Sequence, residues 1–299
     1  MQAAGQSRVL ACERLRTANG PPIACLTEMR YLAHPMIDIH CHLLPGLDDG
    51  PDSLEESLQM VEAAIADGIT HLVATPHAND RYAFLPDLVR QRRDEIARAA
   101  GDRLFLATGC DFHLTYENVR DARAHPSKYT LNQKNYLLVE FADFAIPPSV
   151  DEALHQLQLH GIVPVITHPE RNGLICRQPQ RLANWVQRGC YVQVTAGSFL
   201  GRFGPAARRA AEQWLAEGLV HFVASDAHNL HSRPIQLSEA YAAVCKQHGE
   251  PVARALFREN PLAAIEGRPL PWVPEPPDPA HIGAVGTAQG RRRKRFWFF

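Results

Sequence analysis

Seven short apolar runs, separated by stretches of helical character, constrain the fold of this chain more than any other feature. They lie near 36–41, 70–75, 103–108, 136–141, 162–167, 190–195 and 219–224. Adjacent parallel strands need a long crossover, usually a helix, so the alternation predicts βαβ units on a parallel sheet. So many units in succession favour a barrel-like sheet over an open one. The segment after the first run shows how the helices are marked. Ser53 and Glu56 are spaced as a capping box, and Gly68 is placed to end the helix. Between them, Leu54, Leu58, Val61 and Ile65 are expected to form the core-facing stripe.

Charge and length narrow the classes. At 299 residues the chain can bury a sizeable core. Its net charge of -1 gives nothing global to attract nucleic acid or an anionic membrane. No apolar run is long enough for a membrane-spanning helix. Residues 1–35 read as a flexible extension without the apolar stretch of a secretory signal. The organised part spans 36–269. From 270 to 299 a proline-rich tail follows, ending in Arg291-Arg292-Arg293-Lys294-Arg295 and Phe296-Trp297-Phe298-Phe299. That ending suits either contact with a membrane surface or partner, or a terminus of no consequence. Seven cysteines without C-x-x-C spacing point to reduced thiols and a cytoplasmic protein.

In a (β/α) barrel the active site lies at the C-terminal ends of the strands. His40 and His42 close the first run, on one face of an extended segment. His77 closes the second, Asp111 follows the third, and Glu140 closes the fourth. His168 and Arg171 end the fifth, and Asp226 and His228 the seventh. The sixth, ending at Gln193-Val194-Thr195, offers only hydroxyls and an amide. Burying so many imidazoles and carboxylates without a compensating cation would be costly. Mixed nitrogen and oxygen donors suit manganese, iron or zinc. Asp49 lies in Leu47-Asp48-Asp49-Gly50, which reads equally as a turn. His71, His113, His155, His160 and His221 read as packing or surface histidines, with His113 singled out because it lies two residues from Asp111, and Cys41 reads as packing beneath the rim.

The set Asp38-Ile39-His40-Cys41-His42, Leu47-Asp48-Asp49-Gly50-Pro51, Ala74-Thr75-Pro76-His77, His168-Pro169-Glu170-Arg171 and Ala224-Ser225-Asp226-Ala227-His228-Asn229 resembles the PHP-type metal phosphoesterases. More narrowly, it is similar to the bacterial protein-tyrosine phosphatases of capsule and exopolysaccharide loci. The resemblance covers about 36–268 and implies an α/β fold, a distorted (β/α)7 barrel. It implies two or three manganese ions: one on His40, His42 and Asp226, one on Glu140 and His168, and one on Asp49, His77 and His228. Asp111 stands where those proteins usually carry a bridging glutamate, one methylene longer. Arg171 and Arg233 would contact phosphate, although either could instead pair with a neighbouring carboxylate.

Such a cation cluster would make hydroxide available near neutral pH and polarise a phosphoryl oxygen. The implied reaction is in-line hydrolysis of phosphotyrosine in a protein, the implied partner a membrane-linked tyrosine autokinase of polysaccharide export. Two other readings stand beside it. One is a phosphoesterase for a small monoester such as histidinol phosphate or a nucleotide, the other a non-catalytic phosphotyrosine binder. A cysteine mechanism is disfavoured because no cysteine has arginine six positions on, and no phosphate-binding P-loop motif is present.

Overall fold

The computed structural model describes residues 35–142, 144–275 and 277–283. The anticipated N-terminal extension, apart from Pro35, and the basic-aromatic terminus lie outside them. Nine strands occur among the described residues: β1 (Met36–Cys41), β2 (Ile69–Ala74), β3 (His77–Ala78), β4 (Phe105–Thr108), β5 (Asp111–His113), β6 (Tyr136–Glu140), β7 (Val163–Thr167), β8 (Tyr191–Thr195) and β9 (Phe222–Ala224). The seven expected runs are all present. Every pairing is parallel. This follows from strands buried on both faces, which read as continuous apolar runs.

The strands fall into two hydrogen-bonded sheets rather than one, β1-β2-β4 and β3-β5-β6-β7-β8-β9. The short β3 and β5 continue the paths of β2 and β4 after a break of two residues each, at Thr75-Pro76 and Gly109-Cys110. Pro76 has no N–H to give a ladder. Single bonds carry the pattern across the break: Gly109 N–H to the Ala74 carbonyl (2.9 Å) and Asp111 N–H to the Pro76 carbonyl (3.1 Å). On the far side of β1, the Asp226 N–H donates to the His40 carbonyl and the His42 N–H to the Ala227 carbonyl, each at 2.8 Å.

A buried carboxylate reinforces that junction. Asp38 Oδ1 accepts from the Ser225 N–H at 3.0 Å, and its Oδ2 accepts from the Ser225 hydroxyl. Burial pushes the Asp38 carboxyl up to about 6 even though Ser225 and His40 hydrogen bonds oppose it. β1 is thereby fixed to the segment that follows β9, and the two ends of the strand sequence meet where His40 and Asp226 reside.

Helices cover the outside. In Leu54–Ala66, Ser53 accepts from the Glu56 N–H at 3.2 Å, as the cap spacing predicted. The buried stripe is Ser57, Met60, Val61 and Ala64. This corrects the expected face: Leu54 is 41% exposed, and Leu58 and Ile65 only flank the core. Small Ser57 and Ala64 let the helix approach the sheet closely, which turns the bulkier leucines to the rim. Gly68 ends the turn with φ +90°, a conformation that suits a residue without Cβ.

The described part of the proline-rich tail is seated on the domain. Trp272 and Asn260 exchange bonds, Trp272 N–H to Oδ1 at 3.1 Å and Nδ2 to the Trp272 carbonyl at 2.7 Å. Gln180 Nε2 donates to the carbonyl of Ile282 at 2.8 Å. Glutamine and asparagine amides thus satisfy backbone that proline cannot pair in a ladder.

The Asp38–Ser225 contact yields a test. Ser225→Ala leaves a buried carboxylate short of a donor and is expected to cost about 1–3 kcal/mol. Urea unfolding of the cation-free protein measures it; a loss below about 0.5 kcal/mol would show that the junction does not depend on this pair.

Candidate metal centre

All nine residues proposed from the sequence as ligands converge on one cavity at the C-terminal ends of the strands. Their donor atoms make overlapping groups: His40, His42 and Asp226; His40, Asp111 and His168; His42, Asp49, His77 and His228; and His77, His113 and Glu140. His40 Nε2 lies 3.4 Å from Asp111 Oδ2 and 3.5 Å from Asp226 Oδ1. His42 Nε2 lies 3.6 Å from the same Asp226 oxygen. Asp49 Oδ1 is 3.4 Å from both His77 Nε2 and His228 Nε2. His168 Nε2 approaches Glu140 Oε1 to 3.5 Å. Asp111 Oδ2 also sits 3.4 Å from His77 Nδ1, so the shorter side chain stands between two groups.

Two of these residues are held in unusual backbone. His168 has φ +33° although Pro169 follows it, and Asp226 has φ +52°. Left-handed conformations cost about 1–3 kcal/mol for such residues and gather at functional sites. They turn His168 and Asp226 inward directly after β7 and β9.

The donor set fits a bound cation. Asp111 Oδ2, Asp226 Oδ1 and His77 Nδ1 are buried without a hydrogen-bond partner, a costly condition for isolated groups. Ligands about 2.1 Å from one ion stand about 3.0–3.5 Å apart, which matches the spacings here. Electrostatics agree. Burial alone would lower the His40 imidazole, yet Asp111 and Asp226 carry it up to about 9. His77 behaves likewise: burial opposes, but Asp49, Asp111 and Glu140 hold it at about 9. His42 goes the other way, down to about 4, through burial and the neighbouring His228. Against the cost of burial, His40 holds Asp111 and Asp226 well below the usual carboxylate range, helped at Asp226 by Arg171 and Arg233. Protons on imidazoles therefore balance carboxylates that a divalent cation would balance directly.

A second layer fixes the rings. Gln193 Oε1 meets His40 Nδ1 at 2.9 Å and Asp48 Oδ2 meets His42 Nδ1 at 2.6 Å. Asp48 also accepts from the Gly50 and His77 N–H groups, both at 3.0 Å. Holding Nδ1–H this way directs each Nε2 into the cavity, where it offers a lone pair once the ring is neutral. A Cβ on Gly50 would stand 2.6 Å from the His42 carbonyl, so glycine allows the loop to close over the ring.

Sequence reasoning missed two residues here and underrated a third. Asp48 and Gln193 act through contacts that no spacing announces. His113 did have a signal, because it lies two residues from Asp111 on one face of β5, the relation that paired His40 with His42. The expectation of a packing or surface role for His113 is corrected: its Nε2 contacts Glu140 Oε2 at the edge of the cluster. His221, by contrast, is a core histidine, whose Nδ1 accepts from the Val192 N–H at 3.2 Å.

Both candidate phosphate arginines lie on the rim and contact one oxygen, Asp226 Oδ2. Arg233 Nη1 also reaches His228 Nε2 at 2.8 Å, and the Arg171 guanidinium lies 4.5 Å over the Phe203 ring. The ion-pair alternative is thus the arrangement seen in the structure. Cys41 and Cys110 are fully buried, and burial beside acidic groups pushes both thiols well above the ordinary range. Neither is a thiolate nucleophile.

Comparison with known proteins gives a consistent answer. The family described as capsular polysaccharide synthesis, CpsB/CapC, matches residues 36–266. Tyrosine-protein phosphatase YwqE of Bacillus subtilis is 34% identical over 268 residues, 88% of this chain and 100% of YwqE. Tyrosine-protein phosphatase CpsB of Streptococcus agalactiae serotype V is 32% identical over 240 residues, 77% of this chain and 98% of its own. A crystal structure from work on YwqE of Bacillus subtilis and CpsB of Streptococcus pneumoniae, described as metal-dependent tyrosine phosphatases, superposes with TM-score 0.76. It shares 34% identity and covers 82% of this chain and 99% of that one.

Two outcomes follow from the geometry. Asp48→Ala frees the His42 ring and is expected to weaken divalent-cation binding by about 10–100-fold, read by metal analysis after dialysis; unchanged retention would remove Asp48 from the site. The pH effect has a definite sign. His40 and His77 are raised from 6.5 to about 9, so their stabilising protons are fully present below pH 6.5 and lost by pH 9. Chelated protein is expected to lose thermal stability from pH 7 to 9, whereas cation binding, which displaces those protons, strengthens over that window. Calorimetry in two buffers of different ionisation enthalpy would count the protons released, and zero release would refute the assignment.

Proposed function

The chain belongs to the CpsB/CapC family of capsular polysaccharide synthesis, and from that premise we propose that it is a metal-dependent protein-tyrosine phosphatase acting in that process. The observation that carries the reading is the pair of buried, unpartnered carboxylate oxygens on Asp111 and Asp226, ringed by imidazoles and bordered by two arginines. His40, His42 and Asp226 would hold one cation, Glu140 and His168 a second, and Asp49, His77 and His228 a third. Asp111 would reach two of them. Manganese is the proposed metal, in two or three positions, with iron or zinc compatible with the same donors. Bound cations would supply hydroxide near neutral pH and polarise a phosphoryl oxygen.

The chain's own residues do the rest. Arg171 and Arg233 share one Asp226 oxygen, which leaves further N–H groups for phosphate oxygens. Phe203 under Arg171 holds its plane, and Asn229 Oδ1, which accepts from the Arg233 N–H at 3.1 Å, fixes the turn that carries Arg233. A phenolate leaves more readily than an alkoxide, so a tyrosyl ester needs little acid assistance. In the same reading the two sheets form a distorted seven-unit (β/α) barrel, supported by the bonds of Asp226 to His40 and of His42 to Ala227. Residues 36–269 are its phosphatase domain, flanked by 1–35 and 270–299. The proposed partner is a tyrosine autokinase of polysaccharide export, and the proposed location the cytoplasm, in keeping with free Cys41, Cys110, Cys176, Cys190 and Cys245.

The test compares turnover of a phosphotyrosyl peptide, histidinol phosphate and a nucleotide monophosphate with added manganese. Preference for the peptide is expected; faster hydrolysis of either metabolite would make this a small-molecule phosphoesterase. Loading with manganese that yields no turnover at all would favour a phosphotyrosine binder. His40→Ala and Asp226→Ala are each expected to lower kcat by at least about a hundredfold, the scale of a lost metal ligand.

A further inference from the structure

Beside the metal centre runs a cleft of about 600 Å³ that the chemistry above does not use. Its inner end is formed by His113 and Glu140, so it opens directly out of the cation cluster. One wall is apolar, with Leu114, Phe141, Phe144 and Pro147, and the polar lip carries Asn79, Asp80 and Arg81. Phe144 is 88% exposed, the most exposed large apolar side chain among the described residues. The ring extends the apolar wall of the cleft into one contiguous patch beside a polar site, the kind of surface that marks binding. Phe141 is buried against Trp185, ring centroids 5.0 Å apart, so the floor of the cleft is rigid.

We propose that this cleft is the subsite for the tyrosyl ring and flanking peptide of the substrate, with Phe144 as the aromatic contact. The inference rests on the phosphatase reading above and names where its specificity resides. The argument is one of continuity. A phosphate seated among the cations and arginines must send its leaving group out of the cage, and the Glu140 edge opens onto an aromatic wall. The phenyl ring of the ester matches that wall, whereas a short aliphatic alcohol would leave it wet. The surface also continues past Phe144 and Ala145 into a second hollow of about 210 Å³, bounded by Leu174, Ile175 and Arg181. A run of two hollows suits a peptide segment more than a single metabolite. Arg81 is exposed at the mouth, its guanidinium 4.9 Å over the Tyr82 ring, and its loop is fixed by Asn79 Oδ1 accepting from the Arg81 and Tyr82 N–H groups at 2.9 Å.

The test is a ratio. In manganese-loaded full-length protein, kcat/KM for a phosphotyrosyl peptide is divided by kcat/KM for phosphoserine. Phe144→Ala is expected to lower that ratio about tenfold, chiefly through KM of the peptide, the scale of one aromatic contact. Ala145→Trp, which fills the cleft from an exposed position, is expected to lower it as well. A ratio unchanged in both variants, with the wild type still preferring the peptide, would overturn the subsite and leave the phosphatase reading standing. A wild-type ratio near one would overturn both.

Discussion

The carboxylate of Asp226 is buried, ionised and surrounded. One of its oxygens faces His40 and His42, and the other receives both Arg171 and Arg233. Its backbone N–H holds the His40 carbonyl, and its own φ is left-handed. Removing an ion of this kind from water costs several kcal/mol, which only neighbouring positive charge can offset. The arrangement of the rim follows from that requirement. His40 and His77 are held protonated by the carboxylates, guanidiniums turn inward, and the strand ends bring these groups within a few ångströms of one another. A divalent cation answers the same need more compactly, and it would release the arginines' remaining donors for an anionic substrate.

Much of this was legible in the sequence, for physical reasons. Doubly buried parallel strands read as unbroken apolar runs, so β1, β2, β4, β6, β7, β8 and β9 stood out. β3 and β5, only two and three residues long, carry no periodicity to detect. The residues of the cluster were visible because imidazoles and carboxylates recur at the ends of apolar runs, where burying them without a compensating charge is costly. The face of the 54–66 helix was misread because leucine outranks serine in any apolar stripe, whereas close approach to the sheet selects Ser57 and Ala64. Asp48 and Gln193 were silent: a residue that orients a ligand is specified by where the fold puts it.

Asp111 repays a closer look. The resemblance implies glutamate in its place, so a bridge from the shorter side chain would need a backbone shift or a different metal spacing. Its Oδ2 nonetheless lies 3.4 Å from an imidazole nitrogen on either side, while Thr167 Oγ1 donates to Oδ1 at 3.4 Å. The register of β5 with β6 sets Asp111 opposite Leu138 and His113 opposite Glu140 at the end of the two strands.

The junction of Asp38 with Ser225 joins residues 187 positions apart. Contacts of that separation form late, because the intervening chain must first be ordered. During synthesis the amino-terminal imidazoles emerge long before the carboxylate that completes their set. A ribosome-bound fragment ending before β9 therefore lacks the acid that draws the group together. Any cation that needs donors from both His40 and Asp226 can be held only by molecules whose first and last strands have already met.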